Sequence, residues 1–352
     1  MKYYGKWLLS IFCMLVLIPV LPLLGFAPPA EQAAVKVWDN DKEESQSTVT
    51  LPEEAEQTTE GLETWLDKEE EISVYDHETG KVFQLPVLEY IKRVVCAEMP
   101  VSFEEEAIKA QAVIAHTYML RICQNERVSP TEALQGAMIS TDSSKHQAYL
   151  SEKEIQKLYG THYDEYWEKV SRCVEEVFDQ VLIYENEPII AAFHAISTGK
   201  TETAEHVWGT AVPYLTVTES EGDLYSPQYS QKQRLTVEEV KHILQEHKPD
   251  IKLNDHYAQW FTDPVFTESG YVDQIAVLGE SMTGQEIREM FLLKSAGFSV
   301  EYEEGEFIFT TKGYGHGVGL SQYGANYLAR QGENYQDILM HYYPNTILYD
   351  AK

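Results

Sequence analysis

Three groups of residues in this chain have the types and spacing to do chemistry. The first is a single carboxyl, Glu98, in the stretch VVCAEMP between two apolar runs. Held among Cys96, Ala97, Met99 and Pro100, its charged form is disfavoured and its pKa rises toward what a general acid needs near neutrality. The plainer alternative is a solvated glutamate at a helix end. The second group is GYGHGVGLSQYG, where Gly313, Gly315, Gly317, Gly319 and Gly324 allow positive φ and close backbone approach to a ligand. It lacks the GK[ST] ending of a phosphate loop. Backbone N–H groups with His316, Ser321, Gln322 and Tyr323 offer hydrogen bonds and a stacking face, which suits a sugar; a glycine-rich turn packed on a neighbouring helix is the alternative. The third group is His194 with Ser197, Thr198, Gly199 and Thr201 at a strand end, where a lone histidine is more often structural.

These residues need positioning elements. In the stretch from Leu85 to Arg121, Val87, Leu88, Ile91, Val94 and Val95 recur at helical spacing, and Pro100 ends that helix near residues 96–98. A second helix opens at Ser102-Phe103-Glu104-Glu105, which reads as a capping box, with Glu104, Glu105 and Glu106 suiting the positive end of its dipole. Its run of Ala107, Ala110, Ala112 and Ala115 allows close packing. Periodicity predicts a further helix over Tyr163–Phe178, capping boxes at Thr236 and Thr283, and a strand at Tyr271–Leu278. Hairpins are expected from Val181–Tyr184 with Ile189–His194, and from Phe298–Tyr302 with Glu306–Thr311. The fold class is α+β: mixed helices and antiparallel strands in one large extracytoplasmic domain or two closely joined lobes.

Residues 7–27 carry no charge and are long enough to span a bilayer core. Lys2 and Lys6 before them place residues 1–6 in the cytoplasm, and an uncleaved single-pass anchor is expected. Residues 28–71 form an acidic tether, in which Glu31 to Glu71 carries a net charge of −11. The chain as a whole has a net charge of −30. So acidic a protein suits neither nucleic acid nor an anionic lipid face, and a ligand that is neutral or held by hydrogen bonds and stacking is expected. Cys96, Cys123 and Cys173 fall on apolar helix faces and read as small buried hydrophobes. A metal-dependent amidase using His116, His146, His194 or His316 with Glu98 finds no HExxH or similar paired spacing, and no cofactor is expected.

The Glu98 stretch, Phe193 to Gly209 (FHAISTGKTETAEHVWG) and Gly313 to Ala325 (GYGHGVGLSQYGA) resemble three blocks of the stage II sporulation protein D family, in the same order. The resemblance runs from about Gln84 to the C-terminus. It implies a membrane-anchored peptidoglycan lytic transglycosylase of endospore formation, acting in septal wall degradation and engulfment. Glu98 would be its catalytic acid, and His194, Ser197, Gly199, His316, Gly317, Ser321, Gln322 and Tyr323 its substrate surface. It implies glycan strands stripped of stem peptides by a sporulation cell-wall amidase, and a complex with that amidase and a multispanning membrane protein. Relatives include amidase enhancers, so a non-catalytic glycan-binding activator is the alternative. A zinc site known in some relatives is not expected, since Ser140 and His146 stand at its positions. His116 stands where the family carries arginine, and Ala195, Ile196 and Thr198 also depart from its pattern. A two-carboxylate hydrolase would need a second acid, for which Glu202 and Glu205 are the nearest candidates. A lytic transglycosylase needs one.

Overall fold

The computed structural model describes residues 71–350. The expected anchor, and all but the last residue of the expected tether, lie outside them. Among the described residues no helix is long and apolar enough to cross a membrane. The architecture is mixed α+β, with short, mainly antiparallel sheets around helices.

Helix α1 spans Val87–Glu98 and buries Val87, Ile91, Val94 and Val95 along one face. It stops where the sequence requires: Met99, before Pro100, is extended at φ −114 and ψ 133, out of the helical region that the proline ring disfavours. Helix α2 spans Glu105–Val128. Its alanines at 107, 110, 112 and 115 are buried, so α1, helix Tyr163–Val177, helix Gln322–Arg330 and helix Tyr335–Tyr342 all pack closely on it.

The capping box expected at Ser102 does not form. Phe103 N–H closes a turn onto the Pro100 carbonyl at 2.9 Å, and Glu104 becomes the N-cap without a side-chain bond. Distant partners instead bind the first residues of the helix, including the Glu105 carboxylate that the box would have used. Glu104 N–H donates to Asn326 Oδ1, the Glu105 carboxylate pairs with both Arg172 terminal nitrogens, and Glu106 accepts from Tyr335 N–H. The boxes at Thr236 and Thr283 form as read.

The first expected hairpin is also corrected. Strand Gln180–Tyr184 turns through Glu185 and Asn186, both at positive φ, into the two-residue strand Glu187–Pro188. Of Ile189–His194, only Phe193–His194 is strand, and it pairs in parallel with Leu320–Ser321. The chain there serves the glycine-rich segment: Ala192 O accepts Leu320 N–H at 3.2 Å. The strand Val272–Val277 and the hairpin of Phe298–Glu303 with Glu306–Lys312 are as read.

Apolar side chains collect in two clusters. One gathers the helices around α2. The other lies between Val240 and Phe309, and centres on Trp260 with Phe261, Phe291, Phe307 and Phe309. The second is therefore a chain insertion into the first. Its entry and exit are tied together by Gly313 N–H on the Tyr229 carbonyl at 2.7 Å, so GYGHGVGLSQYG begins where the chain re-enters the first cluster.

Candidate active site

Glu98 is the last residue of α1. Its Oε1 accepts the Ala148 N–H at 2.6 Å, and the Gln322 amide stands within hydrogen-bonding reach of the carboxyl. Protein surrounds the carboxyl densely, yet part of the residue stays open to solvent. Loss of solvation outweighs the two hydrogen bonds and raises its pKa to about 7. The Glu98 charge in turn helps to push Tyr118 up to about 12, behind the larger effect of that tyrosine's own burial.

Gln322 connects the first motif to the second. It opens the helix that follows Leu320–Ser321, and its Nε2 also donates to Gln111 Oε1 on α2 at 3.4 Å. Gln111 did not stand out in the sequence. Its signal was a lone amide within the apolar run AQAVIA, and its Nε2 has no protein partner. Tyr323 meets Phe103 edge-on at 5.0 Å. Together with Tyr225, stacked on Tyr327 at 5.7 Å, they line a cleft of about 220 Å³ beside the loop that follows Glu98. Tyr225 is 67% exposed and offers a ring face to a sugar. A larger cleft, of about 420 Å³, lies at Arg121, Glu187 and Tyr214 and holds none of the residues singled out above.

Ser197 and Ser321, read as sugar contacts, are fully buried. Both hydroxyls donate to Asp223, from Ser197 at 2.5 Å and from Ser321 at 2.6 Å, and Ser197 N–H adds a third bond at 2.8 Å. They hold two motifs together and face no open surface. Gly199 lies in the same knot at φ 109, its N–H on Ser197 Oγ. Asp223, the centre of the knot, had no signal in the sequence.

Neither histidine lines these clefts. The rings of His194 and His316 lie 5.8 Å apart, and that of half-exposed Trp208 is 5.5 Å from His316. Their hydrogen bonds assign their protons. Val318 N–H donates to His316 Nδ1, which must be bare. The Val318 carbonyl accepts from His194 Nδ1, which must carry the proton, so His194 Nε2 is a buried acceptor without a partner. Burial holds His194 near 3 and His316 near 4, so both are neutral at pH 7. The histidines and the Gln322–Tyr323 segment share one frame: Leu320–Ser321 pairs with Phe193–His194, and Tyr323 N–H donates to the Ala195 carbonyl.

Gly317, at φ 84, passes so close to Tyr271 that a Cβ would collide with the tyrosine hydroxyl and ring. Gly317→Ala should therefore cost about 2–3 kcal/mol, from backbone strain plus the clash, and lower the unfolding midpoint in urea at unchanged m. A midpoint equal to that of the wild type would mean that the loop is not tightly seated.

Neither candidate second acid is placed to help Glu98. Glu202 is 1% exposed, and its carboxylate accepts from Thr203 N–H, the Thr267 hydroxyl and His206. Glu205 lies on the surface of the short helix Ala204–Trp208. His116 stacks flat on Phe178 at 5.0 Å, buried and held near pKa 4, and makes no bond to Glu98. Among the described residues no group of three potential ligands could hold a metal ion.

This is an α+β protein in which a carboxylic acid of raised pKa, Glu98, stands beside the helix that follows a glycine-rich loop, with aromatic rings lining a cleft nearby. Its residues 75–184 match the family model described as Stage II sporulation protein (SpoIID). The chain is 34% identical to stage II sporulation protein D of Bacillus subtilis, with 97% of this chain and 95% of that protein covered. It is 35% identical to stage II sporulation protein D of Bacillus amyloliquefaciens, over 98% of this chain and 95% of that one. The amidase enhancer of Bacillus subtilis is 26% identical over 73% of this chain, but only 40% of the enhancer is covered. The chain belongs to the stage II sporulation protein D family.

Proposed function

We propose that this protein has a cell-wall role in sporulation, as a lytic transglycosylase that cleaves the bond between N-acetylmuramic acid and N-acetylglucosamine. The observation that carries the reading is Glu98, a carboxyl near pKa 7 with no second carboxylate among the groups that perturb it. Near neutrality such a group is protonated part of the time and can give its proton to the glycosidic oxygen as the C1–O bond breaks. The resulting carboxylate then takes the proton of the same sugar's C6 hydroxyl while O6 bonds to C1. No water enters, and the product is a 1,6-anhydro end. The intramolecular nucleophile removes the need for a second carboxylate to position water. Gln322 and the Ala148 N–H hold the carboxyl in place, and the Tyr323, Tyr225 and Tyr327 rings offer stacking surface for neighbouring sugars. On this reading an N-terminal anchor holds the domain at the septal membrane. A partner amidase supplies peptide-stripped strands, and a multispanning membrane protein completes the complex.

The test is mass spectrometry of peptide-stripped glycan strands incubated with the protein. Ends lighter by one water than hydrolysed ends are expected. Hydrolysed ends would replace the proposed chemistry by a two-carboxylate mechanism. The similarity to an amidase enhancer favours a second reading, a glycan-binding activator without catalysis. Intact strands that nonetheless bind the protein and stimulate an amidase would select it.

A further inference from the structure

The larger of the two clefts takes no part in the Glu98 chemistry. Arg121, Gln124 and Asn125 of α2 line it together with Tyr184 and Glu187 of the neighbouring hairpin and with Tyr214. Its volume of about 420 Å³ falls within the range of pockets that hold small ligands. The lining is held in place from behind. Tyr214 is buried, its hydroxyl accepts the Ile190 N–H at 2.8 Å, and its ring meets that of Tyr184 at 5.2 Å. One terminal nitrogen of Arg121 donates to the Pro188 carbonyl, which ties α2 to the hairpin. The remaining polar groups are not spent on one another. Arg121 and Glu187 line the same cleft, yet among the described residues no ion pair joins them. The Glu187 carboxylate accepts only from the Gln124 amide, at 3.4 Å, and the Asn125 amide has no partner there. Unused donors and acceptors thus border one open space beside two tyrosine rings. A sugar hydroxyl donates and accepts at once, and the C–H face of a sugar stacks on a ring, so a saccharide meets both needs. A simple anion would meet Glu185 and Glu187 as well as Arg121, and an apolar ligand would strip water from all of these groups.

We infer that this cleft is a second saccharide site, which holds a stretch of glycan strand away from the point of cleavage. This rests on reading the protein as one that takes peptidoglycan strands. Helix α2 sets the spacing between the two places. Gln322 joins Gln111 of that helix to the Glu98 site, and Arg121 lies ten residues further on, about 15 Å along the axis. A strand that fills both places is held at two points, so that when one contact opens the other keeps the strand on the protein. A disaccharide is too short to reach both.

The test is equilibrium dialysis of the full chain against two probes: the peptide-free disaccharide of N-acetylglucosamine and N-acetylmuramic acid, and long peptide-stripped strands. At saturation the wild type should hold two disaccharides per chain. The double variant Asn125→Ala, Glu187→Ala should hold one, and should bind long strands about tenfold or more weakly than wild type, because the second point of attachment is gone. Tyr225→Ala, in the cleft beside Glu98, should weaken the other disaccharide and leave this one in place. One disaccharide per wild-type chain overturns the second site and leaves the glycan reading intact. Two in both wild type and the double variant, or an unchanged affinity of the double variant for long strands, removes the site from this cleft. Binding of neither probe would sink the glycan reading together with the site. Asn125 and Glu187 are exposed, so their replacement spares the core, and the wild-type count needs no variant at all.

Discussion

Glu98→Gln is expected to lower strand cleavage by between about 10² and 10⁴, the range a general acid contributes, while making the folded protein more stable above neutral pH. Both effects have one cause. The surroundings disfavour the carboxylate and place its pKa at about 7, against 4.5 for an ordinary glutamate. A folded-state pKa above the unfolded value means that the native state holds the proton more tightly. Stability from this group is therefore complete below pH 4.5 and is lost as pH rises through 7. Glutamine carries no charge, so the variant should match wild type in acid. It should pull ahead between these two values and level off at about 3 kcal/mol in mild alkali. Urea unfolding from pH 4 to 9 reads the difference. Cleavage by wild type should decline above about pH 7, as the acid form empties. A variant that cuts at more than about a tenth of the wild-type rate would remove Glu98 from the chemistry. A variant destabilised at every pH would mean that the carboxylate is paired more strongly than its surroundings suggest.

Asp223→Ala should be the most damaging change away from Glu98. Asp223 is buried and accepts from Ser197 N–H, Ser197 Oγ and Ser321 Oγ, and so joins the segment after His194 to the end of the glycine-rich loop. Burial raises its pKa in spite of these bonds. Alanine leaves the donors without an acceptor in a space too enclosed for easy hydration. The expected loss is about 3–5 kcal/mol, as when one member of a buried polar network is removed. Asparagine keeps one acceptor oxygen, which can face Ser197 N–H while its amide turns to Ser321, so Asp223→Asn should cost about 1–2 kcal/mol. Cleavage should fall with either variant although Glu98 is untouched, because Gln322 follows directly on Ser321. Thermal unfolding of the two variants beside wild type checks the order. Alanine and asparagine variants of equal stability would mean that the carboxylate is not what joins these segments.

The features that could be read from the amino-acid sequence are those set by contacts within a few residues. Pro100 ends α1 through its immediate neighbour, so the junction that carries Glu98 was visible. The boxes at Thr236 and Thr283 close within four residues, and the Phe298–Lys312 hairpin declared itself through alternation and Glu303-Glu304-Gly305. Local signals failed where distant groups competed. Ser102 and Glu105 had the pattern of a capping box, but Arg172 takes the Glu105 carboxylate and Asn326 accepts the Glu104 N–H at the helix start. Ile189–His194 had the pattern of a hairpin arm, but its end paired with a strand more than a hundred residues away. The site was legible as three separate motifs, and only the tertiary structure decided how they meet. Gln322 reaches Gln111 across 211 residues and stands beside Glu98, while Ser321 meets Asp223 across 98. Ser197 and Ser321 consequently became internal fasteners. Periodicity reports which face of an element is apolar. Which polar groups share a buried space depends on how the elements pack, and that is not written in any short stretch of the chain.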